Sequence, residues 1–128
     1  MDIKFNEIKS QEQFLEIFKG LCDIAEIAFN KFEENCSDPK PEEKRLVSRN
    51  IKYLISITLV IMGMRGDYIV FRDHKVLSGF SVEVDGIVYD QSYLYKMNDY
   101  FETRLTRALE ILQKVDPEKY KEFTNFLS

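Results

Sequence analysis

One histidine is present, His74, and it follows Arg72 and Asp73 directly. A histidine with a carboxylate is the usual material of general-base catalysis. Adjacent side chains in an extended segment point to opposite faces, however, so this pair is not preset as a dyad. The two cysteines, Cys22 and Cys36, are fourteen residues apart. On one helix that places them roughly 21 Å apart, against the ~7 Å limit between Cα atoms of a disulfide. The spacing does not match a zinc site either. Free thiols fit a reducing compartment. Carboxylates occur as neighbours at Glu33–Glu34 and Glu42–Glu43. Both pairs read as solvated charge at helix ends. Asp67, Asp73, Glu83, Asp85 and Asp90 are the set from which a metal or acid–base site would have to be built, but their spacing fits no established one. Five scattered glycines form no phosphate-binding loop, and the triplet Arg65-Gly66-Asp67 carries no weight. No cofactor and no metal are expected, and catalysis is the third reading only.

Two surface stripes hold more promise. Arg45, Arg49 and Lys52 fall at spacings of four and three on one face of a predicted helix. Like charges at that spacing repel, so they are not there for local helix stability. They either pair with acidic residues of the preceding helix or meet an acidic partner or phosphates. Tyr93, Tyr100, Arg104, Arg107 and Ile111 share a sector of about 60° on a later helix. Tyrosine and arginine are enriched at interface hot spots and also suit stacking on bases. The plain alternative is that the tyrosine rings pack against the sheet while the arginine stems cover them.

These stripes need helices to carry them. Ser10-Gln-Glu-Gln opens the first as a capping box, and Phe14, Ile17, Phe18, Leu21, Ala25, Ala28, Phe29 and Phe32 give it one apolar face. Glu12, Glu16, Asp23 and Glu26 lie away from that face, as a solvated acidic side or a docking face for a basic partner. Pro39 and Pro41 stop it. A second helix starts at Pro41, with Glu42 and Glu43 at its positive end. Its apolar line runs through Val47, Ile51, Leu54 and Ile61, interrupted by Thr58, whose hydroxyl is expected to bond a carbonyl one turn back. The charge-free run over 53–64 is far shorter than the ~20 residues of a bilayer span and reads as core. A strand over 54–61 is the alternative. The helix should be half exposed at its start, enclosed on nearly all sides by its end, and ended by Gly63 and Gly66, which bracket Met64 and Arg65.

Short strands follow, at 67–71 and on either side of Asp85-Gly86, the strongest local hairpin signal. A long helix over about 92–115 keeps the line Leu94, Met97, Phe101, Leu105, Ala108 and Leu112. Asp116 then caps a terminal helix with Pro117 first and Tyr120, Phe123 and Phe126 or Leu127 packing. Residues 1–9 are a lead-in able to add an edge strand through Ile3 and Phe5.

The fold class expected is α+β with helices dominant, on one domain of 128 residues. A net charge of -4 and a pI near 5.1 disfavour a general nucleic-acid binder. The first residues lack a signal-peptide pattern, so the cytoplasm, or a host cytoplasm, is expected. The function expected is a non-enzymatic protein that binds a macromolecular partner and occludes its working surface, as an inhibitor, an immunity or antidefence protein, or a small subunit. Nucleic-acid or nucleotide binding through the basic stripes is the alternative. No membrane association is expected. A homodimer is expected if Leu59 and Val60 are not covered within one chain. Alanine at Tyr100 and Arg104 should abolish partner binding and leave the fold intact.

Overall fold

The computed structural model describes residues 10–65 and 80–127. Its elements are α1 (Gln11–Cys36), a 3-10 turn (Pro41–Glu43), α2 (Lys44–Arg65), β1 (Ser81–Val84), β2 (Ile87–Asp90), α3 (Gln91–Val115) and α4 (Pro117–Leu127). The fold is α+β and helix-dominated, as expected. The lead-in through Ile3 and Phe5, the strand expected over 67–71, and residues 72–79 with His74 among them lie outside the described residues.

Local signals set most boundaries. The Ser10 hydroxyl accepts from the Gln13 backbone N–H at 3.0 Å and starts α1. Asp116 does the same for α4, accepting from Lys119 N–H at 3.2 Å, with Pro117 the first helical residue. Before α2, Glu43 reaches back to the Lys40 N–H at 2.9 Å, fixing the turn that Pro41 opens. The N-cap of α3 is Asp90, one position ahead of a helix that begins at Gln91 rather than Ser92. Its carboxylate accepts from the Ser92 hydroxyl at 2.7 Å and from the Ser92 and Tyr93 N–H groups at 3.1 and 3.3 Å. These bonds, the Ser92 hydroxyl first, hold the Asp90 carboxyl below the usual carboxylate range.

Asp85 and Gly86 both take positive φ, 51° and 81°, the requirement of a tight two-residue hairpin turn. The hairpin pairs Val84 with Ile87 and Val82 with Tyr89. Val82 is buried, Tyr89 is half-buried, and Ser81 N–H donates to the Gln11 side chain at 3.0 Å, tying the hairpin to the start of α1. Among the described residues the sheet has two strands.

One cluster of buried side chains joins α1, α2, β1 and α3, and β2 and α4 pack partly buried Tyr89, Tyr120 and Phe123 against it. Phe14 meets Phe80 edge-on at 5.5 Å, Phe18 meets Tyr93 at 5.7 Å, and Phe29 stacks on Phe101 at 5.8 Å. α2 is a helix throughout, which removes the strand alternative for 54–61. Its last residue is Arg65, between Gly63 and Gly66, where the sequence places the stop; Gly66 itself lies outside the described residues. Pro41–Met64 is long and apolar enough by length and composition to cross a membrane, because the helix extends well ahead of the charge-free run. In this fold Val47, Ile51, Leu54 and Ile61 are packed into the core. Burial widens along α2, taking in Ile55, Ile57 and Met64, but Leu59 and Gly63 stay exposed. The enclosure expected on nearly all sides is thus interrupted at Leu59 and Gly63.

Thr58 departs from expectation in a second way. It is buried, and its hydroxyl has no hydrogen-bond partner, so the bond one turn back is not made. Asn98 on α3 is fully buried with both amide atoms unpartnered. A buried, unpaired polar group costs on the order of 1–3 kcal/mol. Thr58→Val keeps the shape and removes the hydroxyl. It should raise stability by about 1 kcal/mol, seen as a higher denaturant midpoint with an unchanged slope. An unchanged or lower midpoint would show that the hydroxyl is satisfied in solution.

Candidate functional site

The Tyr–Arg stripe of α3 divides when its side chains are placed. Arg104 is 8% exposed and fully engaged by α1. Its Nε donates to Glu33 at 2.8 Å, Nη1 to Glu26 at 2.9 Å and to the Tyr100 hydroxyl at 2.9 Å, and Nη2 to Asn30 at 2.9 Å. Glu26, Asn30 and Glu33 succeed one another at four and three residues, which stacks them on one face of α1. The Tyr100 hydroxyl also donates to Glu26 at 2.9 Å. The guanidinium carbon lies 5.1 Å from the Phe29 ring centre and 5.3 Å from that of Tyr100. Burial pulls the Arg104 pKa down, but the bond to Glu33 and the charges of Glu33 and Glu26 more than offset it. Glu33 is therefore not merely solvated charge. Arg104 is part of what joins α1 to α3, so its replacement should cost stability as well as any binding. Tyr93 is half-buried between Phe18 and Tyr89, whose ring centre is 4.8 Å away. Burial pushes its hydroxyl up to about 12. Tyr100 keeps an exposed edge, and Arg107 is exposed.

The α2 stripe is different. Arg45, Arg49 and Lys52 are all exposed. The ion pairs among the described residues join Arg104 to Glu26 and Glu33, and Lys119 to Glu122. None involves the stripe, so the pairing with α1 carboxylates considered from the sequence is not made there. Beside the stripe lie apolar residues that the helical pattern left off its core lines. Ile27 is 57% exposed and Tyr53 50%, and Ile24 and Leu46 are exposed as well. Ile24, Ile27, Ala28, Lys31, Asn50, Tyr53 and Leu54 line one groove of about 280 Å³ between α1 and α2. The only hint in the sequence was the spacing of Ile24 and Ile27, three residues apart and outside the Phe-rich line. Leu59 remains exposed and lines separate grooves toward α3 and α4, with Phe123 in the latter. Val60 is partly covered against the core.

Chemistry-bearing groups are sparse. Cys22 and Cys36 are buried free thiols. Burial and then the Asp23 charge push Cys22 up to about 12, where the thiol stays protonated and unreactive. Among the described residues no group of three or more His, Cys, Asp or Glu side chains is placed to hold a metal ion. No family model, no curated protein and no solved structure matches the chain.

Proposed function

We propose that this chain is a small non-enzymatic cytosolic protein that binds a protein partner and covers the partner's working surface with its α1–α2 face. The observation that carries this reading is the company Arg45, Arg49 and Lys52 keep. They are exposed, unpaired among the described residues, and share α2 with exposed Leu46 and Tyr53, and Tyr53 lines the groove with exposed Ile24 and Ile27. An apolar, tyrosine-bearing patch with a charged margin has the anatomy of a binding surface. Exposed apolar groups that gather in one place ask for a partner more strongly than scattered ones. A helix pair with a groove between its members is a recurrent docking mode.

A second reading, nucleic-acid binding, is favoured by the three aligned cations alone. Contact with about three phosphates would make affinity fall with salt with a log–log slope near −3. Capture with the tagged full chain from its native cytoplasm, with mass spectrometry and a check for nucleic acid, separates the two. One protein recovered near equal stoichiometry supports protein binding. Nucleic acid that washes off with salt supports the second reading, and an empty capture counts against both.

A further inference from the structure

The hairpin leaves one strand edge open. Val84 and Ile87 close the Asp85-Gly86 turn, and in a two-residue hairpin the closing pair exchanges both of its backbone bonds. Bonded pairs alternate with unbonded ones along the ladder. Val82 and Tyr89 are therefore the next bonded pair, and Ser81, Glu83 and Val88 turn their N–H and C=O groups outward. The Ser81 N–H agrees with this, since it leaves the ladder for the Gln11 side chain at 3.0 Å. The start of α1 thus closes part of the outer edge of β1. The outer edge of β2 has no such cover. Among the described residues, no backbone bond outside the ladder reaches Val88, and Ile87 and Val88 are both more than half exposed. Free edges are usually guarded by lysine, proline or a bulge. Ile87-Val88-Tyr89-Asp90 holds neither residue, and its pairing is regular.

An open edge of this kind is completed by an extended segment, and the side chains around it select which one. Alternation along the strand places Val88 and Asp90 on one face of the hairpin. Ile87 and Tyr89 share the other, on which Val82 enters the core. Glu83 stands across from Val88. Glu83, Asp85 and Asp90 are all exposed, and none is in an ion pair among the described residues. Lys19 is engaged on the inner face, over the Tyr89 ring at 4.8 Å. A residue added opposite Val88 would exchange two backbone bonds with it. Its two neighbours would fall beside Ile87 and Tyr89, and the next residues out beside Asp90 and the Asp85-Gly86 turn. The complement is therefore a cation, three apolar residues and a second cation. A second copy of this chain does not supply it. Antiparallel self-pairing about Val88 would bring Asp90 of each copy opposite Gly86 of the other, next to Asp85, and like charges so placed repel. We propose that the β2 edge binds an extended apolar segment of a partner protein with a basic residue at each end, through backbone pairing at Val88 and the charges of Glu83, Asp85 and Asp90. This site is separate from the α1–α2 face, so each stands or falls on its own test.

The probe is the acetylated, amidated peptide Lys-Arg-Ile-Val-Ile-Arg-Lys, titrated into the isotope-labelled full chain and followed through its amide NMR signals. Saturable shifts should centre on Val88 and its strand neighbours. N-methylation of the peptide's central valine removes the donor to the Val88 carbonyl and leaves every charge and side chain in place. It should weaken binding at least about tenfold. Val88→Pro removes the outward N–H without breaking a ladder bond and should weaken binding as much. Glu83→Lys with Asp85→Asn keeps a residue suited to positive φ at the turn and should weaken binding about three- to tenfold. Circular dichroism checks each variant, and the N-methylated peptide tests the wild type alone if a variant does not fold. A wild type with no saturable binding overturns the inference. So does equal binding of the N-methylated peptide, or of a peptide with glutamate in place of its cations. Shifts at Val88 that grow with protein concentration alone would put a second copy at this edge and overturn it too.

Discussion

Phe29→Ala is expected to lower the stability of the native state by about 3–5 kcal/mol. Phe29 is fully buried, and its ring stacks on Phe101 at 5.8 Å. The Arg104 guanidinium also lies over this ring, at 5.1 Å from its centre. Truncation therefore opens a cavity where α1 meets α3 and also removes the ring under the cation. The core cannot easily collapse around it, because Phe101 is held between Phe29 and Tyr100, the latter at 4.9 Å. A domain of this kind has on the order of 5–15 kcal/mol in total, so the variant should unfold in clearly less urea with the same slope. A loss below about 1 kcal/mol would mean that this junction is loosely packed in solution.

Arg104→Ala should cost about 2–3 kcal/mol. The substitution removes donors to two carboxylates, an amide and a hydroxyl, all between 2.8 and 2.9 Å. The figure stays below that for a fully buried pair because the Glu26 and Glu33 side chains are 42% and 51% exposed and water can resolvate them. Arg104→Lys should recover less than half of the loss. A point charge on a flexible stem cannot serve Glu33, Glu26 and Asn30 together, whereas the planar fork does. Denaturant unfolding of both variants, with Glu33→Gln to close a double-mutant cycle, measures the coupling. Alanine at Arg104 with wild-type stability would return this residue to the list of free surface groups.

The contrast between Arg104 and Arg49 shows where sequence reading reaches. Ser10, Asp85-Gly86 and Asp116-Pro117 act within three or four residues, so the caps and the hairpin were legible from the chain alone. The α1 partners of Arg104 lie 71 to 78 residues away, and no periodicity within α3 contains them. Tyr100 and Arg104 share a helix sector with Arg107, but only α1 decides which of them is consumed by the fold. The spacing of Ile24 and Ile27 was visible, yet their exposure depends on α2 covering only one flank of α1. Thr58 interrupts an apolar line in the sequence. Its unmet hydroxyl emerges only when the neighbouring helices close over it.

The most direct test of the α1–α2 face as the working surface is a three-way capture from native cytoplasm. The baits are tagged wild type, Arg49→Glu with Tyr53→Ala, and Arg107→Glu. The account predicts one protein at near equal stoichiometry with the wild type and with Arg107→Glu, lost with the Arg49 and Tyr53 pair. Equal recovery with all three baits, or loss with Arg107→Glu alone, would contradict it.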